Sequence, residues 1–178
     1  MADPRTLSTD RLVMTPHRQS DFAELAALWA DPQVVRFIGG KPNSEEESWG
    51  RLLRYAGCWS VMGFGFWAVR AQASGAYLGY IGFLEGRRTG MHGFGGDPEI
   101  GWCLVTAAQG KGYASEAARA ALGWGAAHLA GSHRRAVAMI HPDNAASVTV
   151  AARCGFRHYA AARYHDEPTG LWEYRWQD

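Results

Sequence analysis

An excess of charge of either sign is missing from this chain. Its 178 residues carry 18 Lys and Arg against 17 Asp and Glu, a formal net charge of +1, so no overall field draws it to nucleic acid or to an anionic membrane. Any anion binding has to be local. Cysteine is scarce: Cys58, Cys103 and Cys154 are odd in number, far apart and set in apolar runs. That excludes a disulfide framework and reads as reduced thiols of a cytoplasmic protein. No apolar run approaches the length of a membrane span, and Met1 to Asp10 is polar where a signal peptide has its apolar centre, so a soluble intracellular chain is expected. Repeats, low-complexity tracts and linker-like breaks are also lacking. With 47% hydrophobic residues the length suits one well-filled domain over 1–178. His92, His128, His133, His141, His158 and His165 form no pair at i, i+4 and no Cys/His pairing of the structural-zinc kind, so no metal is expected.

What is present alternates between strand and helix signals. Arg11 to Pro16 reads as a first strand ending at proline. Asp21 with Glu24 predicts a capping box for a short helix carrying Phe22, Leu25, Leu28 and Trp29, and Ser44 with Glu47 caps a second helix to about Gly57. Phe64–Arg70 and Ala76–Leu84 form a hairpin around Ala71 to Gly75, followed by a strand from Glu99 to Val105. An alanine-rich helix runs from Tyr113 to about Ala130, then a buried strand from Arg135 to Ile140 and a helix from Asn144 to Gly155. A last hairpin pairs Phe156–His165 with Leu171–Trp176 across a loop at Asp166 to Gly170. The order is β-α-α-β-β-β-α-β-α-β-β. Gly93-Phe94-Gly95-Gly96 superficially matches a dinucleotide fingerprint but lacks the strand-turn-helix setting.

The stretch that organises the rest is Gln109-Gly110-Lys111-Gly112-Tyr113-Ala114-Ser115, a glycine turn between a strand and a helix. Glycines let a backbone approach a ligand closely, and the helix behind them aims free N–H groups and its positive dipole end at the same place. A pyrophosphate-bearing cofactor fits such a turn, with Lys111 adding charge; a plain glycine loop without ligand fits it as well.

Together with the element order, Glu99-Ile100-Gly101-Trp102, Gln109 to Ala114, Asn144-Ala145-Ala146-Ser147 and Cys154-Gly155-Phe156 resemble the GNAT superfamily of acyl-CoA N-acyltransferases. Thr9-Asp10-Arg11-Leu12, Asp21-Phe22 and the Ser44 to Glu47 cap make the chain similar to the Rim-type branch, which acetylates ribosomal-protein N-termini; the likeness covers nearly the whole chain. It implies an α/β (α+β) fold with a single mixed, mostly antiparallel central sheet flanked by helices. It also implies acetyl-CoA as co-substrate and no metal.

Position by position, Gln109, Gly110, Gly112 and Ala114 match the family's Q/R-x-x-G-x-G/A motif. The main-chain amides of Gly110, Lys111, Gly112, Tyr113, Ala114 and Ser115 are thus expected on the pyrophosphate. Trp102, Cys103, Leu104 and Val105 match the strand that splays from its neighbour, often at a bulge, and hydrogen-bonds the pantetheine arm. Asn144 matches the helix residue that touches that arm, and Ser147 would lie by the thioester sulfur. Glu99 is the candidate base that deprotonates the amine, against the plainer role of a strand-edge charge paired with an arginine. Many superfamily members carry a tyrosine acid seven residues after the asparagine, where this chain has Ala151; Ser147 is the substitute donor, or only a hydrogen-bonding group. Direct transfer in a ternary complex is expected, since Cys103 and Cys154 lack an activating base. Arg87-Arg88 and Arg134-Arg135 read as solvated loop charges or contacts to acidic substrate or adenine. Phe37, Trp67 and Tyr80, with the last hairpin, are the expected walls for the amine, either a protein N-terminus or a small molecule. A non-catalytic acyl-CoA-binding or sensing domain is the alternative, and the protein is expected as a monomer or homodimer.

Overall fold

In the computed structural model, residues 3–88, 91 and 94–176 are described. His92 and Gly93 lie outside them, and with them part of the discounted glycine motif. The expected order is present, with a short strand and a one-turn helix added. Strand β1 (Leu7–Ser8) and β2 (Leu12–Pro16) lead to helix α1 (Phe22–Ala30), the short α2 (Pro32–Val35) and α3 (Glu45–Met62). Strands β3 (Phe66–Ala71), β4 (Tyr77–Leu84) and β5 (Glu99–Leu104) precede α4 (Tyr113–His128). Strand β6 (Arg135–Ile140), α5 (Ala145–Arg153), β7 (Arg157–Tyr164) and β8 (Glu167–Arg175) complete the chain. The eight strands form one sheet in the order β1-β2-β3-β4-β5-β6-β8-β7, antiparallel throughout except for the parallel β5–β6 pair.

Alternation along the strands sends apolar side chains to both faces. On one face Met14, Trp67, Ile81, Ile100 and Ala138 pack under α4, while on the other Ala68, Tyr80 and Cys103 pack under α1 and α3. Helix α3 runs past the sheet, so that Trp59 near its end joins Trp67 and Trp124 edge to face, with ring centroids 4.9 to 5.5 Å apart. Each such pair adds roughly 1 kcal/mol beyond its burial.

Three local readings are corrected. Ser44 and Glu47 do form the reciprocal capping box, but α3 continues past Gly57 to Met62, where Gly63 at φ +75° ends it. Asp21 and Glu24 form no box between them. Asp21 accepts from the Arg18 N–H, and both carboxylates bind Arg70 from β3. The last hairpin turns at His165-Asp166, both with positive φ, so Pro168 to Gly170 belong to β8. Pro168 is tolerated because β6 starts pairing only at Gly170, which leaves its N-side without a ladder partner.

Candidate active site

Strands β5 and β6 touch in register at one pair, Glu99 with Val137, where the Val137 N–H also reaches the Pro98 carbonyl at 3.0 Å. Beyond that point they diverge, while β5 stays paired with β4 as far as Leu104. The Val105 N–H bonds the Leu78 carbonyl at 2.9 Å, so strand alternation turns the main-chain groups of Cys103 and Gly101 toward β4 and those of Trp102 and Leu104 toward the opening. The Leu104 carbonyl is taken by the Gln109 side-chain amide at 3.0 Å. Gln109 therefore ties the glycine turn to the end of β5, a bond the motif alone did not disclose. The strand carries no register shift along β4; those lie in the β3–β4 and β7–β8 pairs, so the divergence needs no bulge.

At the mouth of the opening Gly110 and Gly112 hold φ of +73° and +82°, which a side chain would strain. Gly112 is the N-cap of α4 and no side chain caps the helix, so the first-turn N–H groups of Tyr113, Ala114 and Ser115 have no acceptor within it. Lys111 is exposed beside them. The turn is braced from the far end of the chain. Arg11 donates to the Lys111 carbonyl at 3.0 Å and pairs with Glu116 at 2.6 Å, and its guanidinium lies 4.6 Å from the Tyr113 ring centroid. Thr9 also donates to Glu116, which explains in contacts why Thr9-Asp10-Arg11-Leu12 accompanies the turn. On the opposite bank Asn144 caps α5, its Oδ1 accepting from the Ser147 N–H at 3.1 Å, which leaves its amide NH2 for a ligand. The Ser147 side chain is half-buried and its hydroxyl bonds no described residue. Ala151 is fully buried in the core, where a tyrosine would have no room. The Cys154 thiol meets the Ser115 carbonyl at 3.6 Å and joins the end of α5 to the start of α4.

Glu99, 7% exposed, sits where the strands part. Arg88 holds it through two bonds, Nη2 to Oε1 at 2.6 Å and Nε to Oε2 at 2.9 Å, and also donates to the Tyr164 hydroxyl at 2.9 Å. Burial opposes the charge on Arg88, and the Glu99 contacts outweigh it, raising the pKa overall. Arg88 is thus no solvated loop charge. Gly86 makes the room: a Cβ there would stand 2.6 Å from Glu99 Oε2 and 2.7 Å from Arg88 Nε. Arg135, likewise expected in solvent, is half-buried and bonds Asp97 and Glu173. Burial pushes the Cys103 thiol up to about 12 and raises Cys154 too, so neither offers a thiolate near neutrality.

Of the expected amine walls, Phe37 is half-buried beside His141, ring centroids 5.3 Å apart, at the end of β6. Asp31 accepts from the Thr106 hydroxyl just past β5, so the α2 segment is fastened to both diverging strands. Tyr80 is buried among Trp29, Tyr55 and Phe66 and lies opposite Cys103 of β5. Trp67 is misassigned: it is 0% exposed in the core under α4, its indole N–H bonded to the Arg5 carbonyl, and it presents no face to a ligand. Its apolar neighbours read equally well as wall or core in sequence; burial decides. Among the described residues no three His, Cys, Asp or Glu side chains gather as a metal would require.

Residues 11–157 match the family model described as an acetyltransferase (GNAT) domain. The uncharacterized protein YkkB of Bacillus subtilis (strain 168) is 28% identical over 174 residues, covering 94% of each chain. Among solved structures, a chain described as a GnaT-family acetyltransferase from Bordetella pertussis superposes with a TM-score of 0.82 at 32% identity, covering 94% of this chain and 98% of its own. An acetyltransferase from Agrobacterium tumefaciens strain C58 gives 0.81 at 27% identity, with 98% and 96% covered.

Proposed function

The chain belongs to the GNAT acetyltransferase family, and on that premise we propose that it moves the acetyl group of acetyl-CoA onto a primary amine by direct attack in a ternary complex. The observation that carries the reading is the parting of β5 from β6 directly in front of the uncapped start of α4. Such a cleft suits an extended thioester whose pyrophosphate ends on the N–H groups of Gly110 to Ser115. Solved proteins of this fold hold CoA with spermine, or CoA in aminoglycoside and ribosomal L7/L12 acetyltransferases; at 13 to 17% identity they share the fold alone, so they favour a CoA site and leave the amine open.

In this reading the N–H of Trp102 or Leu104 polarises the thioester carbonyl. Glu99 receives the amine proton. Arg88 occupies two of the roughly four acceptor positions of that carboxylate, which leaves about two for a water that would link it to the amine. Glu99 stands three residues, about 10 Å of strand, from Trp102, a gap one or two waters bridge. The amine nitrogen attacks the carbonyl carbon, the C–S bond breaks, and Ser147 donates or relays a proton to the departing thiolate. Burial of both nearby thiols in their protonated form favours direct transfer over an acyl-cysteine.

The test is amine-dependent release of free thiol from acetyl-CoA, with the product identified by mass spectrometry, in wild type and Glu99→Gln. Turnover that depends on the amine and is slowed in the variant at unchanged acetyl-CoA affinity supports the proposal. Tight binding of acetyl-CoA with no transfer to any amine supports the sensing-domain alternative instead.

A further inference from the structure

We propose that the acceptor amine of this enzyme carries a carboxylate, bound by Arg51 and Arg54 of α3; the inference rests on the acetyl-transfer reading above and names its substrate class. The two arginines line a hollow of about 280 Å³ with Asn43, Glu47 and Gly50. Neither has a carboxylate within ion-pair distance among the described residues, and they contact instead the rings of Trp29 and Tyr55. That sets them apart from the arginines that hold the fold. Arg70 binds Asp21 and Glu24, Arg88 binds Glu99, and Arg135 binds Asp97 and Glu173. Glu47, one turn before Arg51, accepts from the Ser44 N–H at Oε2 in the capping box and forms no ion pair with either arginine.

The hollow also adjoins the chemistry. The Arg51 guanidinium lies 3.6 Å from the Trp29 ring centroid, and Trp29 stacks on Tyr80 at 5.9 Å with an 18° tilt. Tyr80 pairs in register with Cys103 on β5, next to Trp102, whose main chain faces the cleft. Two ring contacts therefore separate the unpaired arginines from the strand on which the thioester is placed. Trp29 is 1% exposed and its indole N–H has no acceptor, while Asn43 donates its N–H to the Trp29 carbonyl at 3.0 Å. Two guanidinium groups beside one hollow, neither engaged by a carboxylate, call for an oxygen-rich anion, and Arg binds carboxylates in a planar fork. The Arg51 charge also acts on the Tyr80 hydroxyl and the Cys103 thiol of the facing strands, so a carboxylate held at Arg51 would leave the amine end of the same molecule on the β5 side of α3.

The experiment compares 4-aminobutyrate, 6-aminohexanoate and L-phenylalanine with their carboxamides as acceptors, in wild type, Arg51→Gln, Arg54→Gln and Arg51→Lys. The wild type is expected to use the acids with kcat/KM at least about tenfold above the amides, as one charge-assisted contact predicts. Both Gln variants should lose that preference through a raised KM for the acids, and Arg51→Lys should restore part of it. Acid-bearing tetrapeptides used better than the free amino acids would assign the carboxylate to a peptide. Equal use of acids and amides by the wild type overturns the inference while leaving acetyl transfer in place. Should no amine be acetylated, calorimetry with 6-aminohexanoate decides: binding lost in Arg51→Gln sustains the carboxylate site without the transferase, and no binding overturns the site as well.

Discussion

In the proposed reading, the cofactor bank of the cleft is drawn from two short stretches, Gln109 to Ser115 and Asn144 to Ser147, and works mostly through main-chain N–H groups. The amine bank it proposes is assembled from side chains of Trp29, Arg51, Tyr80, Arg88 and Glu99, which come from α1, α3, β4, β5 and the loop before β5. A backbone site constrains sequence by where glycine must stand and where a helix must begin, both of which are local. A side-chain site constrains pairs of residues far apart, and those pairs exist only once the chain has folded.

Substitutions that separate the two banks sharpen the contrast, beginning with the largest. Glu99→Gln should lower kcat by about 100-fold, the usual range for losing a general base, with acetyl-CoA affinity unchanged. A loss confined to stability, read by chemical denaturation, would reduce Glu99 to the partner of Arg88. On the cofactor bank, Gly112→Val places a β-branched residue at φ +82° and should weaken acetyl-CoA binding by about 30-fold, a backbone strain near 2 kcal/mol, measured by calorimetry. An unaltered affinity would show that the turn does not approach the phosphates.

The aromatic cluster of Tyr55 and Tyr80 also predicts a pH response of the fold, through His17 packed against it. Burial pushes the pKa of His17 down to about 4, with its Nδ1 on the Phe66 carbonyl and its ring 5.2 Å from that of Tyr55. Unfolded chains take up this proton near pH 6.5, whereas the folded protein waits until about 4. Stability should therefore fall by about 3 kcal/mol as pH drops through that window and level off below it. His17→Phe should flatten that limb in urea titrations at successive pH values; an unchanged slope would remove His17 from the account. Ser147→Ala should slow turnover by about tenfold without altering cofactor affinity, as loss of a proton donor does. The smallest effect is expected for Lys111→Ala, which should raise the acetyl-CoA KM about twofold and only at low salt, since the exposed side chain adds screened charge to a site made by amides.

Legibility in the sequence followed the same division. The glycine turn, the α5 cap at Asn144 and the box at Ser44 and Glu47 each depend on residues within a few positions of one another, and the structure contains all three. Asp21 and Glu24 have the spacing of a box but turn to Arg70, because an arginine from β3 offers both carboxylates a stronger partner than helix-end amides. Pro168-Thr169-Gly170 reads as a loop by composition; the two left-handed residues before it close the turn early, and an open ladder edge accepts the proline. Trp67 of β3 and Tyr80 of β4 look alike in aromatic strands, and only the layer each faces separates the core under α4 from the cluster under α1 and α3. An arginine partner for Glu99 is legible as a possibility, but Arg88 reads as a loop charge or a contact to acidic substrate or adenine, since nothing local in Gly86 marks the space it leaves.

The central claim is that CoA lies between β5 and β6 with its phosphates on the start of α4, and amide-resolved NMR titration with CoA tests it most directly. The account predicts that shifts concentrate on Trp102, Leu104, Gly110 through Ser115 and Asn144, and that α3 stays silent until an amine is added. Shifts centred on α3, or none at these residues at saturating CoA, would contradict it.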